Sequence, residues 1–248
     1  MYDILIPMAE KDFVKFPYLY KSIMSYLEGF DKIYCVTPVP VPFMQRIDGV
    51  LYYLDEDVID FDFSKCKGIT RDRAGWYKQQ FIKLFQMITK DEYFQVDSDV
   101  VFKKKISVIE NGKPSFLFGK DQNHAPYYEL TQTLFGYGRE YPYSFINEMM
   151  YFKRSIIHHL ISSTGLSKYG FFDLIIAELN RKNEVSGMSE YDLYGNYVAK
   201  HFKDTYNYKY LSAIRGSKKG LWTTKEIEAA LDRHKNSVSD IITFHSYI

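Results

Sequence analysis

Apolar positions along the chain change their period several times, and each change marks an element. Ile4-Leu5-Ile6 is a short apolar run of the kind a buried strand makes. Residues 12–27 carry apolar side chains at Leu19, Ile23 and Leu27, which is helical spacing, and Ile33-Tyr34-Cys35-Val36 returns to strand before Thr37-Pro38 closes it. Such a strand–helix–strand opening predicts a parallel pair joined by a right-handed crossover. Val50-Leu51-Tyr52-Tyr53-Leu54 is a third strand, and the acidic Asp55-Glu56-Asp57 behind it reads as an exposed loop. Over 74–88 the side chains of Tyr77, Phe81, Leu84, Phe85 and Ile88 fall on one stripe, so an amphipathic helix is expected, with Arg73 and Gln80 together on its flank.

Residues 92–102 form an apolar strand interrupted by Asp97 and Asp99, and 115–118 give another. The Tyr-, Gly- and Pro-rich stretch 119–143 has no clear period; in a compact domain such a stretch is usually functional or mobile, and its aromatic part, Tyr127-Tyr128 through Tyr143, is expected to be a ligand platform or a packed Ω-loop. Helices are read at 172–179, 189–202 and about 224–233, with a loop at Gly216-Ser217-Lys218-Lys219-Gly220 and a terminal strand-like Ile241-Ile242-Thr243-Phe244-His245. Lys218 and Lys219 either close over a phosphate or decorate a surface turn. No repeat or linker interrupts the sequence. The expectation is one α/β domain over 1–248, a mostly parallel central sheet flanked by helices, with its ligand beyond the carboxyl ends of the strands.

Charge narrows the partners. The chain has 32 Lys+Arg against 31 Asp+Glu, a formal net charge of +1, and no basic cluster beyond Lys103-Lys104-Lys105, which argues against nucleic acid or an anionic membrane. No stretch reaches the roughly 18–20 apolar residues of a membrane span, and the N-terminus lacks a basic region, so a soluble, cytoplasmic protein is expected. Cys35 and Cys66 make neither a disulfide framework nor a metal spacing. With 23 Tyr and 19 Phe the chain is rich in rings, which suit sugar or nucleotide surfaces.

The candidate chemistry centres on Asp97-Ser98-Asp99. In extended chain residues two apart share a side, so both carboxylates can converge while Ser98 faces away. Two carboxylates that close repel unless a proton or a cation stands between them, and a divalent ion such as Mg²⁺ or Mn²⁺ suits hard oxygen donors. The alternative is a polar turn whose aspartates bond to backbone.

Read in order, Gly75-Trp76-Tyr77-Lys78-Gln79-Gln80, Val96-Asp97-Ser98-Asp99, residues 144–152 and Ser189-Glu190-Tyr191-Asp192-Leu193-Tyr194-Gly195 resemble the GT-A glycosyltransferases. The likeness is greatest to a small branch found in bacteria and large DNA viruses, and it covers about residues 2–200. It implies a Rossmann-like GT-A fold and transfer of a sugar from a nucleoside-diphosphate sugar, a UDP-sugar foremost, to a glycan or other hydroxyl. By the same resemblance Asp97 and Asp99 hold Mn²⁺ or Mg²⁺ against the donor diphosphate. His245 is the late histidine that fits as a third ligand, or else a half-buried ring bonded to backbone; imidazole would favour Mn²⁺. Ser189 followed by Asp192 is a helix-capping signature, which leaves Glu190 free to serve as general base of an inverting transfer or to bind donor hydroxyls, with Glu148 and Asp192 in reserve. Arg73, Gln80, Ser98 and the loop holding Ala9 are the candidate donor contacts. Two rivals remain: a sugar nucleotidyltransferase, which normally wants a Gly-rich loop that residues 7–12 lack, and a non-catalytic nucleotide- or carbohydrate-binding module.

Overall fold

The computed structural model describes residues 1–43, 46–119 and 123–247, with Tyr247 by its backbone only. Strand β1 (Tyr2–Pro7) is buried along its whole length, as a strand covered on both faces must be. After a 3-10 turn at Glu10–Asp12, helix α1 (Phe16–Tyr26) starts later than the spacing predicts because Pro17 occupies its first turn, where a missing N–H is harmless. Next come β2 (Phe30–Thr37), β3 (Val50–Leu54), the one-turn helices α2 (Asp55–Val58) and α3 (Ile69–Asp72), then α4 (Ala74–Phe85) and β4 (Glu92–Val96). Asp55-Glu56-Asp57 is therefore no loop but the start of α2, where carboxylates meet the positive end of the turn.

The second half runs β5 (Val100–Phe102), β6 (Ile109–Glu110), β7 (Lys113–Phe118), α5 (Ala125–Phe135), β8 (Met149–Lys153), α6 (Arg154–Ser162), α7 (Lys168–Lys182), α8 (Glu190–His201), β9 (Asn207–Tyr210), β10 (Ala213–Lys219), α9 (Thr224–Arg233) and β11 (Ile241–Tyr247). The central sheet has the order β3-β2-β1-β4-β8 and is parallel except for β8, as an α/β reading requires. Smaller sheets of order β10-β11-β5 and β6-β7-β9 lie beside it. The large core gathers around β1, β2, β4 and β8; a second, small cluster of Val101, Ile227, Ile242 and Phe244 lies under α9.

Three further expectations change. The single strand at 92–102 is two, because β4 ends inside the central sheet and β5 leaves it to pair antiparallel with β11. Part of the aperiodic 119–143 stretch is α5, started by a proline in its first turn and ended by Gly136 at φ 77°; residues 120–122 lie outside the described residues. The expected loop at 216–220 is mostly β10, paired in parallel with β11. Gly216 fits closely there, since a Cβ would come within 3.1 Å of the Thr243 carbonyl oxygen and 3.4 Å of the Trp222 ring.

Candidate active site

Parallel strands β1, β2, β3 and β4 end on one side of the central sheet, and the turn Asp97-Ser98-Asp99 follows directly from β4. Next to it the loop after β1 carries Lys11 and Asp12, α4 contributes Trp76 and Lys83, and β11 brings His245. Together with Arg73 they line a cavity of about 570 Å³ that contains Asp97, Ser98 and Asp99. A second cavity of about 310 Å³ adjoins it, shares Pro7, Lys11 and Trp76, and is walled by Met8, Ala9, Val36, Pro38 and Ile82.

Asp99 and His245 meet as an ion pair, 3.0 Å between Oδ2 and Nδ1. The other ring nitrogen lies 3.6 Å from the Glu148 carboxylate and 3.0 Å from the Thr243 hydroxyl. Burial alone would lower the imidazole pKa, but the bonds to Asp99 and Glu148 outweigh it and raise it to about 10, so the ring is an imidazolium at neutral pH. For Asp99 burial pushes upward, and His245 and Lys15 more than reverse it, leaving the carboxyl below its ordinary range. Glu148 is gripped in turn by Arg215, Nε at 3.0 Å. Its backbone sits at φ 59°, the left-handed region that non-glycine residues avoid, and such strain persists where the surroundings over-determine it. Asp97 and Glu148 are also joined through backbone, Asp97 N–H donating to the Glu148 carbonyl at 2.8 Å.

The second carboxylate has a different cation. Lys83 Nζ stands 2.7 Å from Asp97 Oδ1 and 2.5 Å from Glu190 Oε1, with the Tyr191 hydroxyl at 3.2 Å. Burial pulls the ammonium pKa down, yet the two carboxylates raise it above its ordinary value, so the charge stays. Glu190 is pushed up by burial against the pull of Lys83. Helix α8 presents it because Ser189 caps the start, its Oγ accepting from the Asp192 N–H at 3.4 Å, while Gln80 Oε1 accepts from the Glu190 N–H at 3.1 Å.

Each expected residue has a definite place. Asp97, Asp99, His245 and Arg73 line one cavity. Ser98 does not face away: its hydroxyl donates to Asp12 Oδ2 at 3.0 Å, because the chain turns there instead of staying extended. Ala9 lines the neighbouring cavity. Arg73 and Gln80 part company, Arg73 stacking 4.2 Å over Trp76 and Gln80 buried against α8. Glu190 is also buried, beneath Lys83. Asp192 caps nothing with its carboxylate, which accepts from the Phe145 N–H at 3.0 Å. Lys218 pairs with Glu226 on α9 at 2.6 Å.

Lys83 and the pair Asp12–Lys15 were not signalled by the sequence. Lys15 is buried, bonds to Asp12 at 2.5 Å and to the Phe244 carbonyl at 2.5 Å, and so ties the loop after β1 to β11 behind the aspartates. A lysine one turn along from Gln80, on the same side of a helix, is the only pattern that could have pointed to Lys83.

In this arrangement no group of three or more His, Cys, Asp or Glu among the described residues is set as a metal cage, because Asp97 is turned onto Lys83 and Asp99 onto His245. The donor types are nonetheless ones a divalent ion accepts, two carboxylates and an imidazole that line one polar cavity, provided that the ion displaces the imidazolium proton and Lys83.

The chain belongs to the family of unknown function DUF6492, whose model matches residues 3–202. No curated protein matches it by sequence. Among solved structures it is similar to mouse xyloside xylosyltransferase 1 in apo form (8% identity, 98% of this chain and 97% of that one, TM-score 0.47). It is also similar to an active-site mutant of LgtC (10% identity, 98% and 86%, TM-score 0.48) and to the glycosyltransferase GlyE of Streptococcus pneumoniae TIGR4 (13% identity, 98% and 54%, TM-score 0.42). The α/β class of this chain rests on its own strand order. Among the described residues no helix is long and apolar enough to cross a membrane.

Proposed function

We propose that this protein is a GT-A-like glycosyltransferase that moves a sugar from a nucleoside-diphosphate sugar, a UDP-sugar foremost, to a hydroxyl of a glycan or similar acceptor. The observation that carries the reading is the convergence of Asp97, Asp99 and His245, from two distant parts of the chain, on a cavity that also holds Lys11 and Arg73 beyond the carboxyl ends of the parallel strands. Asp97, Asp99 and His245 would hold Mn²⁺ or Mg²⁺. Bound there, such an ion supplies Lewis acidity that stabilises the departing diphosphate.

The remaining work falls to side chains of the chain itself. Arg73, with Nε buried and without a hydrogen-bond partner, offers a planar fork to phosphate oxygens. The apolar walls of the adjoining cavity, Met8, Val36, Pro38 and Ile82 with Trp76 at its border, suit a nucleoside. Glu190, the candidate general base, is not free as the sequence suggests but lies behind Lys83, outside the cavity lining, and would take the acceptor proton only with that ammonium moved aside; Glu148, beside His245, is the alternative carboxylate.

Thermal unfolding against UDP, GDP, CDP, ADP and dTDP, each with and without Mn²⁺, tests this. A diphosphate at 100 times its dissociation constant adds about 2.7 kcal/mol. Stabilisation by one nucleotide only with metal present is the expected result. No response to any nucleotide, in a protein that unfolds cooperatively, overturns it.

A further inference from the structure

Lys83 is a buried cation shared by two carboxylates with different tasks in the reading above. Its Nζ lies 2.7 Å from Asp97 and 2.5 Å from Glu190, and it stacks 4.5 Å over the Tyr191 ring. Its backbone is pinned as well: the Tyr93 hydroxyl donates to the Lys83 carbonyl at 2.6 Å. One turn earlier on the same helix Gln80 holds the Glu190 N–H, so α4 grips the start of α8 at two points. Lys83 lines the cavity, whereas Glu190 lies behind it with a side chain only 4% exposed.

We propose that Lys83 is a positioning residue that couples occupation of Asp97 by a divalent cation to the ion pair at Glu190. This deepens the metal-dependent reading and rests on it. While no ion is bound, Lys83 divides its charge between the two carboxylates and competes with any cation for Asp97. An ion on Asp97 repels the ammonium, which keeps Glu190 as its remaining carboxylate partner and holds it there as a fixed, ionised group. Site filling and carboxylate positioning thus happen together, through one flexible side chain and with no movement of the helices.

The test is Mn²⁺ binding without nucleotide, followed by titration calorimetry and by the electron paramagnetic resonance signal of free Mn²⁺. Lys83→Met removes the competitor, so Mn²⁺ binds about tenfold more tightly or better, as expected when a unit charge leaves the neighbourhood of a divalent ion. Glu190→Gln gives Lys83 wholly to Asp97 and weakens Mn²⁺ binding; Lys83→Arg restores wild-type affinity within about threefold, since it keeps the charge. Arg73→Met, which removes a charge from the same cavity, changes affinity much less than Lys83→Met. A purely structural role for Lys83 predicts weaker binding in Lys83→Met, and weaker or unchanged binding there overturns the coupling. An equal gain in Lys83→Met and Arg73→Met reduces it to bulk electrostatics and overturns it too. Absence of Mn²⁺ binding to the wild type overturns the metal reading itself and the coupling with it. Cooperative unfolding of each variant shows that loss of fold is not the cause.

Discussion

Gly195 lies inside α8, where alanine would ordinarily be the better helix former by about 1 kcal/mol. Here the opposite sign is expected. A Cβ at that position would stand 2.3 Å from Phe145 Cγ, 2.4 Å from Cδ2 and 2.7 Å from Cδ1, about 0.8–1.2 Å inside even the short end of the ordinary contact distance of about 3.5–4.0 Å between carbons. The Phe145 ring is 1% exposed and packs edge-on against Phe116 at 5.0 Å and tilted against Tyr141 at 5.3 Å, so it has little room to move. Overpacking of this kind costs about 1–3 kcal/mol, and three ring atoms struck at once place Gly195→Ala at the upper end. After the gain in helix propensity, a net loss of about 2 kcal/mol remains, or a fall of about 4–8 °C in Tm for a chain of this size. Urea unfolding with an unchanged m-value measures it directly. Phe145→Leu in the same background should recover part of the loss, since it vacates the space the new methyl needs. A Gly195→Ala protein as stable as the wild type would refute the packing argument and would mean that α8 can shift on its bed.

Asp192 supplies a pH prediction. Burial raises its carboxyl from 3.8 to about 6, against the Phe145 N–H and Ser144 hydroxyl that favour the charged form. The folded state therefore holds the proton more tightly than the unfolded state, so this contribution to stability is complete below about pH 4, falls as pH rises and is gone above about pH 6, a change of about 3 kcal/mol. Asp192→Asn removes that slope, and the variant should gain on the wild type between pH 4 and 6.5 in paired urea titrations; parallel curves would contradict the shift. At the cavity, Asp99→Asn should abolish Mn²⁺-dependent stabilisation by nucleotide while the protein still unfolds cooperatively, and a metal-responsive Asp99→Asn protein would remove Asp99 from the proposed site.

Much of the parallel sheet can be read from the sequence because its strands are apolar runs with short, well-marked closures, as at Thr37-Pro38, and α4 and α9 announce themselves by period and capping. The two aspartates stand out as carboxylates two residues apart at the end of an apolar run, which a polar turn would show as well, and His245 enters only through the resemblance to GT-A glycosyltransferases; in the structure the three line one cavity. Lys83 is opaque because it stands between Ile82 and Leu84 like any solvated helix lysine, and its partner Glu190 lies on another helix far along the chain. Glycine and lysine in 216–220 suggest a loop, and only pairing with β11 makes that segment a strand. The α5 helix is hidden by its rings, which carry no single stripe. In each case a tertiary contact overrides a local preference.

His245 belongs to β11, which is paired with β10 and with β5, the strand that follows Asp99, and is tied to the loop after β1 by Lys15. During synthesis Asp97 emerges after its cation Lys83, whereas Asp99 emerges long before the imidazolium that pairs with it, because β11 follows β8 and α8 in the chain. On the function proposed above, the site is therefore complete only once β11 has paired with β5 and β10, and a chain cut before β11 would keep both aspartates yet lack the imidazole beside them.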